Sequence, residues 1–221
     1  MLATLVRKQF SNPDWLFEPK LDGIRCLSFR KGRQVNLFSR NHLRLNDGFP
    51  TLVAPLLNQP VSNFIVDGEI VVLEHGVSRF SLLQKRGQIH VPIFYYLFDV
   101  LYLDGYDVTH LELRYRKELL RRAFFFRDPL RVSEHRECDG EAFYREACRK
   151  GWEGVIAKAS RQCVRASAFH GLVEIQMRER TGTRDRWVYR TVRSARWHRR
   201  TARRVLRKAE TPLRGQGRHR L

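Results

Sequence analysis

The chain has 221 residues, a hydrophobic fraction of 43% and a formal net charge of +19 at neutral pH. That apolar content is enough to build a core, which excludes wholesale disorder. No apolar run approaches the roughly 20 residues that a membrane span needs. The length allows one large domain, or one domain with an appendage.

The opening stretch, MLATLVRKQFSNPDW, lacks the apolar segment of a signal peptide, so the cytoplasm is the expected compartment. Cys26, Cys138, Cys148 and Cys163 form no CxxC pair and show no metal-ligand spacing, and they read as thiols in a reducing compartment. Charge is spread unevenly. From Arg161 to Leu221 there are 17 Arg and one Lys against four acidic residues. The remaining body is mildly basic, which suits a protein that meets phosphate backbones.

In chain order, Leu21 to Arg30 and Gln34 to Ser39 are β-rich runs joined at Lys31-Gly32, the pattern of a hairpin. Phe64 to Glu74 reads as a pair of apolar runs broken by Asp67-Gly68. Val91 to Leu103, aromatic and β-branched, is predicted to be a central strand. Leu113 to Phe124 and Gly140 to Lys150 have the period of amphipathic helices, and Gly151 supplies a stop to the second. Gly154 to Lys158 is a short apolar strand. Paired strands with interspersed helices argue for an α+β fold.

Four segments could carry chemistry. Lys20 stands in EPKLDGIR at the mouth of a strand, and a lysine becomes a nucleophile only when desolvated or set beside positive charge. Taken alone, a KxDG is most often a surface lysine before a hairpin. Here it is followed by Asp67-Gly68-Glu69, by FDVLYLDG, and by EGVIAK, where Glu153 and Lys158 flank one short strand so that both its ends can face one cavity. His42, His75, His90 and His135 show no metal spacing.

EPKLDGIR, FSR, DGE, YLFD and EGVIAK stand in the order and approximate spacing of the covalent nucleotidyltransferases, and over about 145 residues the chain most resembles the bacterial ATP-dependent DNA ligases, end-joining repair ligases among them. The resemblance implies an adenylation domain of antiparallel sheets flanked by helices over residues 1–160. It implies that Lys20 attacks the α-phosphate of ATP to form a lysyl-AMP, with Lys158 stabilising charge on that phosphate. Glu18 would accept from the adenine amino group and Phe98 would lie on the adenine ring. Arg40 and Glu69 would hold the ribose, with Arg25 near the nucleotide or the DNA-end phosphate. Glu153, together with Glu69, would bind Mg²⁺. ATP and Mg²⁺ are the implied cofactors, and the implied partners are duplex DNA with a nick or break and end-joining repair proteins. An RNA ligase, a capping-type guanylyltransferase, and a catalytically dead nucleotide- or nucleic-acid-binding remnant remain alternatives.

After EGVIAK the family continues with a lysine-rich WLKxK motif and an OB-fold barrel, and neither is legible beyond Ala159. Back-translating Leu172 to Arg178 and reading one nucleotide later permits WLKFKC, and neighbouring stretches permit further family-like sequence in the same frame. Residues 161–221 are therefore expected to be an out-of-frame, arginine-rich tail that does not pack. Gly154 to Lys158 would then be left near a frayed edge, and nick sealing by the chain as written would be impaired.

Overall fold

The computed structural model describes residues 4–6, 8–164 and 172–176. The chain opens with β1 (Thr4–Leu5) and β2 (Asn12–Pro19), then forms the hairpin of β3 (Ile24–Lys31) and β4 (Gln34–Ser39). α1 (Val53–Leu57) leads to β5 (Asn63–Glu74), and β6 (Val77–Ser78), α2 (Phe80–Gln84), β7 (Ile93–Leu103) and β8 (Tyr106–Asp107) follow. α3 (Leu113–Ala123), β9 (Leu130–Val132), β10 (Arg136–Cys138) and α4 (Gly140–Lys150) precede β11 (Gly154–Ala159) and β12 (Leu172–Gln176).

These strands make two sheets. One runs β4-β3-β5-β7-β8, with β6 added to β5 and β9 to β7, and is antiparallel except for the β7–β9 pair. The other runs β1-β12-β11-β2-β10 and is antiparallel except for β1 against β12. We call them the β5 sheet and the β2 sheet. The expected α+β class, antiparallel sheets with few helices, is what forms.

Alternation explains which faces are covered. In the β2 sheet Phe17, Val155 and Ala157 point to one side, where Phe143 and Ala147 of α4 close a small core. α4 is well delimited: the Asp139 side chain accepts from Ala142 N at 3.2 Å, and Gly151 ends the helix at φ 68°. The β5 sheet packs its larger core on Leu37, Phe49, Phe64, Ile70 and Tyr95, with Leu120 of α3 against it.

Two expectations need correction. Asp67-Gly68 does not divide Phe64 to Glu74 into two runs, because β5 continues unbroken through it and its pairing with β7 merely shifts register between Asp67 and Gly68. Nor is β11 an edge. It lies between β2 and β12, with Ile156 opposite both Glu18 and Glu174. The alternation of L-V-E-I-Q, with Ile175 buried and Glu174 half-buried, suffices for a five-residue strand held on both sides. Packing also continues past Ala159: Gln162 and Val164 are buried, and Val164 N donates to Thr109 O at 2.9 Å. The rest of the expected unpacked tail, 165–171 and 177–221, lies outside the described residues.

Candidate active site

Lys20 lies where the chain leaves the β2 sheet for the β5 sheet, and the KLDG motif is the crossing itself. Lys20 N donates to Gly154 O at 3.0 Å, which ties the start of the crossing to β11. Asp22 then fastens it from the other side: its backbone N donates to Ser78 Oγ at 2.9 Å, and its carboxylate accepts from Phe80 N at 3.0 Å. Gly23 has to be glycine for room, since a Cβ there would sit 2.2 Å from Ile70 O of β5. With its backbone held in this way, Lys20 places Nζ in an ion pair with Glu153 and 3.6 Å from Glu174 Oε1.

The β5 sheet supplies four of the expected residues. Arg25 of β3 grips Asp67 of β5 with two hydrogen bonds, Nε to Oδ1 at 3.1 Å and Nη2 to Oδ2 at 2.7 Å. Burial alone would lower its pKa, but Asp67 more than reverses this and holds the guanidinium firmly charged. Glu69 is adjacent; burial pushes its carboxyl up to about 8 against the pull of Arg25 and of Lys20. Arg40, just past β4, is lowered by burial and then by Arg25, with Glu69 opposing, so all three share one field. Phe98 of β7 is half-buried, and two cations lie over its ring: Lys158 Nζ at 4.4 Å and Arg25 Cζ at 5.5 Å from the centroid.

The β2 sheet supplies the rest. Glu18 is buried, and its Oε1 lies 2.9 Å from Lys158 Nζ and 2.8 Å from Lys117 Nζ. Burial pushes Glu18 up, yet Lys117 and then Lys158 overcome this and hold its carboxyl below the usual carboxylate range. The two ends of β11 thus face one cleft, as its flanking charges suggested, but each lysine of the site has its own carboxylate: Lys158 has Glu18, and Lys20 has Glu153.

Burial raises Glu153, with Asp22 and Glu174 adding to the shift and Lys20 opposing it. Among the described residues no three His, Cys, Asp or Glu side chains gather into a metal cage. Glu153 and Glu69 nevertheless both act on Lys20. One or two carboxylates at such a point fit Mg²⁺, which takes its remaining ligands from water and phosphate oxygens.

A nucleophile candidate at a two-sheet crossing, carboxylates beside it and an aromatic ring under two cations make a cleft suited to a flat base joined to a polyphosphate. The family model for the ATP dependent DNA ligase domain matches residues 1–166. The chain belongs to this family. The multifunctional non-homologous end joining protein LigD of Pseudomonas aeruginosa is 36% identical over 165 residues, 71% of this chain and 19% of that protein. A probable DNA ligase of Dictyoglomus thermophilum is 29% identical over 157 residues, 64% of this chain and 27% of that protein. This ligase-family chain therefore spans about a quarter or less of the length of those relatives. Among solved structures it is similar to a mycobacterial DNA ligase D complexed with ATP and MES, with a TM-score of 0.64 and 29% identity over 79% of this chain and 60% of that one. The ligase domain of Mycobacterium tuberculosis LigD matches with a TM-score of 0.63 and 30% identity over 79% of this chain and 59% of that one.

Three residues of the cleft escaped the sequence reading. Lys117 belongs to a helix whose buried positions are Leu113, Arg116, Lys117 and Leu120, the i, i+3, i+4, i+7 stripe, so two cations occupy core-facing places. That spacing was the available signal. His135, on the segment between β9 and β10, is pushed down to about 4 by burial and then by Lys117 and Arg121, which leaves it neutral at pH 7. Glu174 arrives on β12, beyond the last motif. No helix among the described residues is long and apolar enough to cross a membrane.

Proposed function

We propose that this chain is the adenylating part of a DNA ligase and that Lys20 is the residue that takes AMP. Once its ammonium has given up a proton to solvent, the amine of Lys20 attacks the α-phosphate of ATP. The N–P bond forms as the P–O bond to pyrophosphate breaks, the nitrogen loses its second proton to water, and the phosphoramidate divides one hard exchange into two easier ones. AMP then passes to a DNA 5′-phosphate, from which a 3′-hydroxyl displaces it. The observation that carries this reading is the position of Lys20, fixed by its backbone at the crossing with Glu153 and Glu69 acting on its ammonium.

The other residues follow from their places. Phe98 offers a face for adenine, where the base would take the position now under two cations. Glu18 accepts from the adenine amino group at the inner end of the cleft, and Arg40 and Glu69 hold the ribose. Lys158 swings from Glu18 to meet charge on the α-phosphate. Arg25 sits near the nucleotide or the DNA-end phosphate. Mg²⁺, held by Glu153 with Glu69, would neutralise phosphate charge. The implied substrate is nicked or broken duplex DNA, in the cytoplasm and alongside end-joining repair proteins. The same reading keeps the chain beyond residue 160 out of frame and sealing impaired; sequencing the gene across the codons for Lys158 to Arg161 tests that part.

Incubation with ATP labelled on the α-phosphate tests the core of it. The chain should acquire covalent AMP, and Lys20→Ala should abolish the label without unfolding the domain. Lys20→Arg should fail as well, because a guanidinium stays protonated. Label persisting in Lys20→Ala would move the nucleophile elsewhere. Transfer to a nicked RNA duplex in preference to DNA, or labelling by GTP in place of ATP, would redirect the reading to the RNA ligases or the capping enzymes.

A further inference from the structure

β12 brings to the cleft a carboxylate that the reaction just described does not use. Register across three strands places Glu18, Ile156 and Glu174 in one row of the β2 sheet. Directly paired residues project from the same face, so Glu174 leaves the face on which Glu18 meets Lys158. Its Oε1 lies 3.6 Å from Lys20 Nζ, with the two side chains 20% and 19% exposed. Glu153 holds the same ammonium, so Lys20 sits between a carboxylate on the loop before β11 and one on β12.

The placement has two consequences for an incoming triphosphate, both from elementary electrostatics. A fixed anion within a few ångströms of Nζ also stands within a few ångströms of any phosphate that Nζ can attack, and like charges at that range repel strongly in a partly desolvated cleft. In addition, the ion pair has to open before Nζ can close on a phosphorus, because attack needs the reacting atoms about 3–3.5 Å apart.

We infer that Glu174 is a restraining residue of the site: it opposes binding of the triphosphate and holds Lys20 out of attacking position until the ion pair opens. This rests on the reading of Lys20 as the nucleophile. It makes the strand at Leu172–Gln176 a determinant of rate as well as a structural cover for β11.

The test compares the full chain with Glu174→Gln and, as a second uncharged variant suited to a strand, Glu174→Thr. Two quantities are measured: equilibrium ATP binding, and the rate of AMP labelling across a range of ATP concentrations. Both variants should bind ATP about tenfold more tightly and label faster at saturating ATP as well, so KM falls while kcat rises. A residue that only covered β11 would show the opposite, slower labelling with a lower thermal midpoint. Unchanged or weaker ATP binding in folded variants overturns the inference, whatever the labelling rate. If the parent chain labels on Lys20 and the variants match it in both measurements, the restraint is wrong and the function stands. If no chain labels, the proposed function fails, and the restraint on Lys20 falls with it.

Discussion

Replacing Lys117 by methionine removes one of two cations from a buried carboxylate while nearly preserving shape. Lys117 Nζ lies 2.8 Å from Glu18 Oε1 and donates to Phe98 O at 3.1 Å, and its side chain is 4% exposed. Breaking a buried ion pair by removing one partner costs about 3–5 kcal/mol, because the other charge is left uncompensated. Here Lys158 stays at 2.9 Å, which argues for the lower end, about 3 kcal/mol. For a domain of this size that is a fall in Tm of roughly 6–12 °C. Glu18→Gln in the same chain should not recover the loss, since Lys158, 12% exposed, then loses its own carboxylate. The pH dependence has a defined sign. Glu18 is held below its ordinary 4.5, so its contribution is present above that value and lost as pH falls through the folded-state pKa. Lys117→Met should shrink that acid-side loss. Urea unfolding at pH 7 and at several lower values measures both effects. A cost below about 0.5 kcal/mol, with an unaltered acid limb, would mean that the pair is solvated, and the argument for a buried charged cleft would fail.

Gly68→Ala should destabilise by about 1–3 kcal/mol and weaken ATP binding, since the new Cβ would lie 2.4 Å from Tyr96 O and 2.6 Å from Tyr95 Cε2, pushing β7 and Phe98 away from β5. A neutral effect in a melting assay would show that β5 and β7 do not approach so closely at Gly68. Glu69 is raised to about 8, so its share of stability is full below 4.5 and is lost as pH rises through 8. Glu69→Gln should therefore flatten the fall in unfolding free energy between those values, and an unchanged slope would contradict the burial of that carboxyl.

Much of the site was legible because its motifs are anchored locally. The KLDG loop explains itself: Asp22 reaches Ser78 and Phe80, and Gly23 passes Ile70 O, so each motif position answers a backbone need. The helix Gly140–Lys150 and its stop at Gly151 appeared at the predicted residues because cap and period agreed. Asp67-Gly68 misled for a physical reason. An acid followed by glycine usually marks a turn, yet here the acid pairs with Arg25 and the glycine admits the close approach of β7, both inside one strand. Lys117 was missed because charge on a helix is read as solvent-facing, while its partner Glu18 is 99 positions away in sequence. β12 was missed because five residues of alternation carry little signal until a partner strand is known.

The way the two sheets are sewn together also bears on how the cleft comes into being. The β5 sheet is built largely from neighbours in sequence, starting with the β3–β4 hairpin, so it can condense early. The β2 sheet must join distant stretches: Glu18 meets Lys158 across 140 positions, and Lys20 meets Glu153 across 133. Closing loops that long is slow. As the chain emerges from the ribosome, β2 waits with Leu16 and Phe17 uncovered until β11 and α4 have been made. The cleft around Lys20 is therefore late to take shape, and during that interval the apolar side chains of β2 depend on whatever else can shield them.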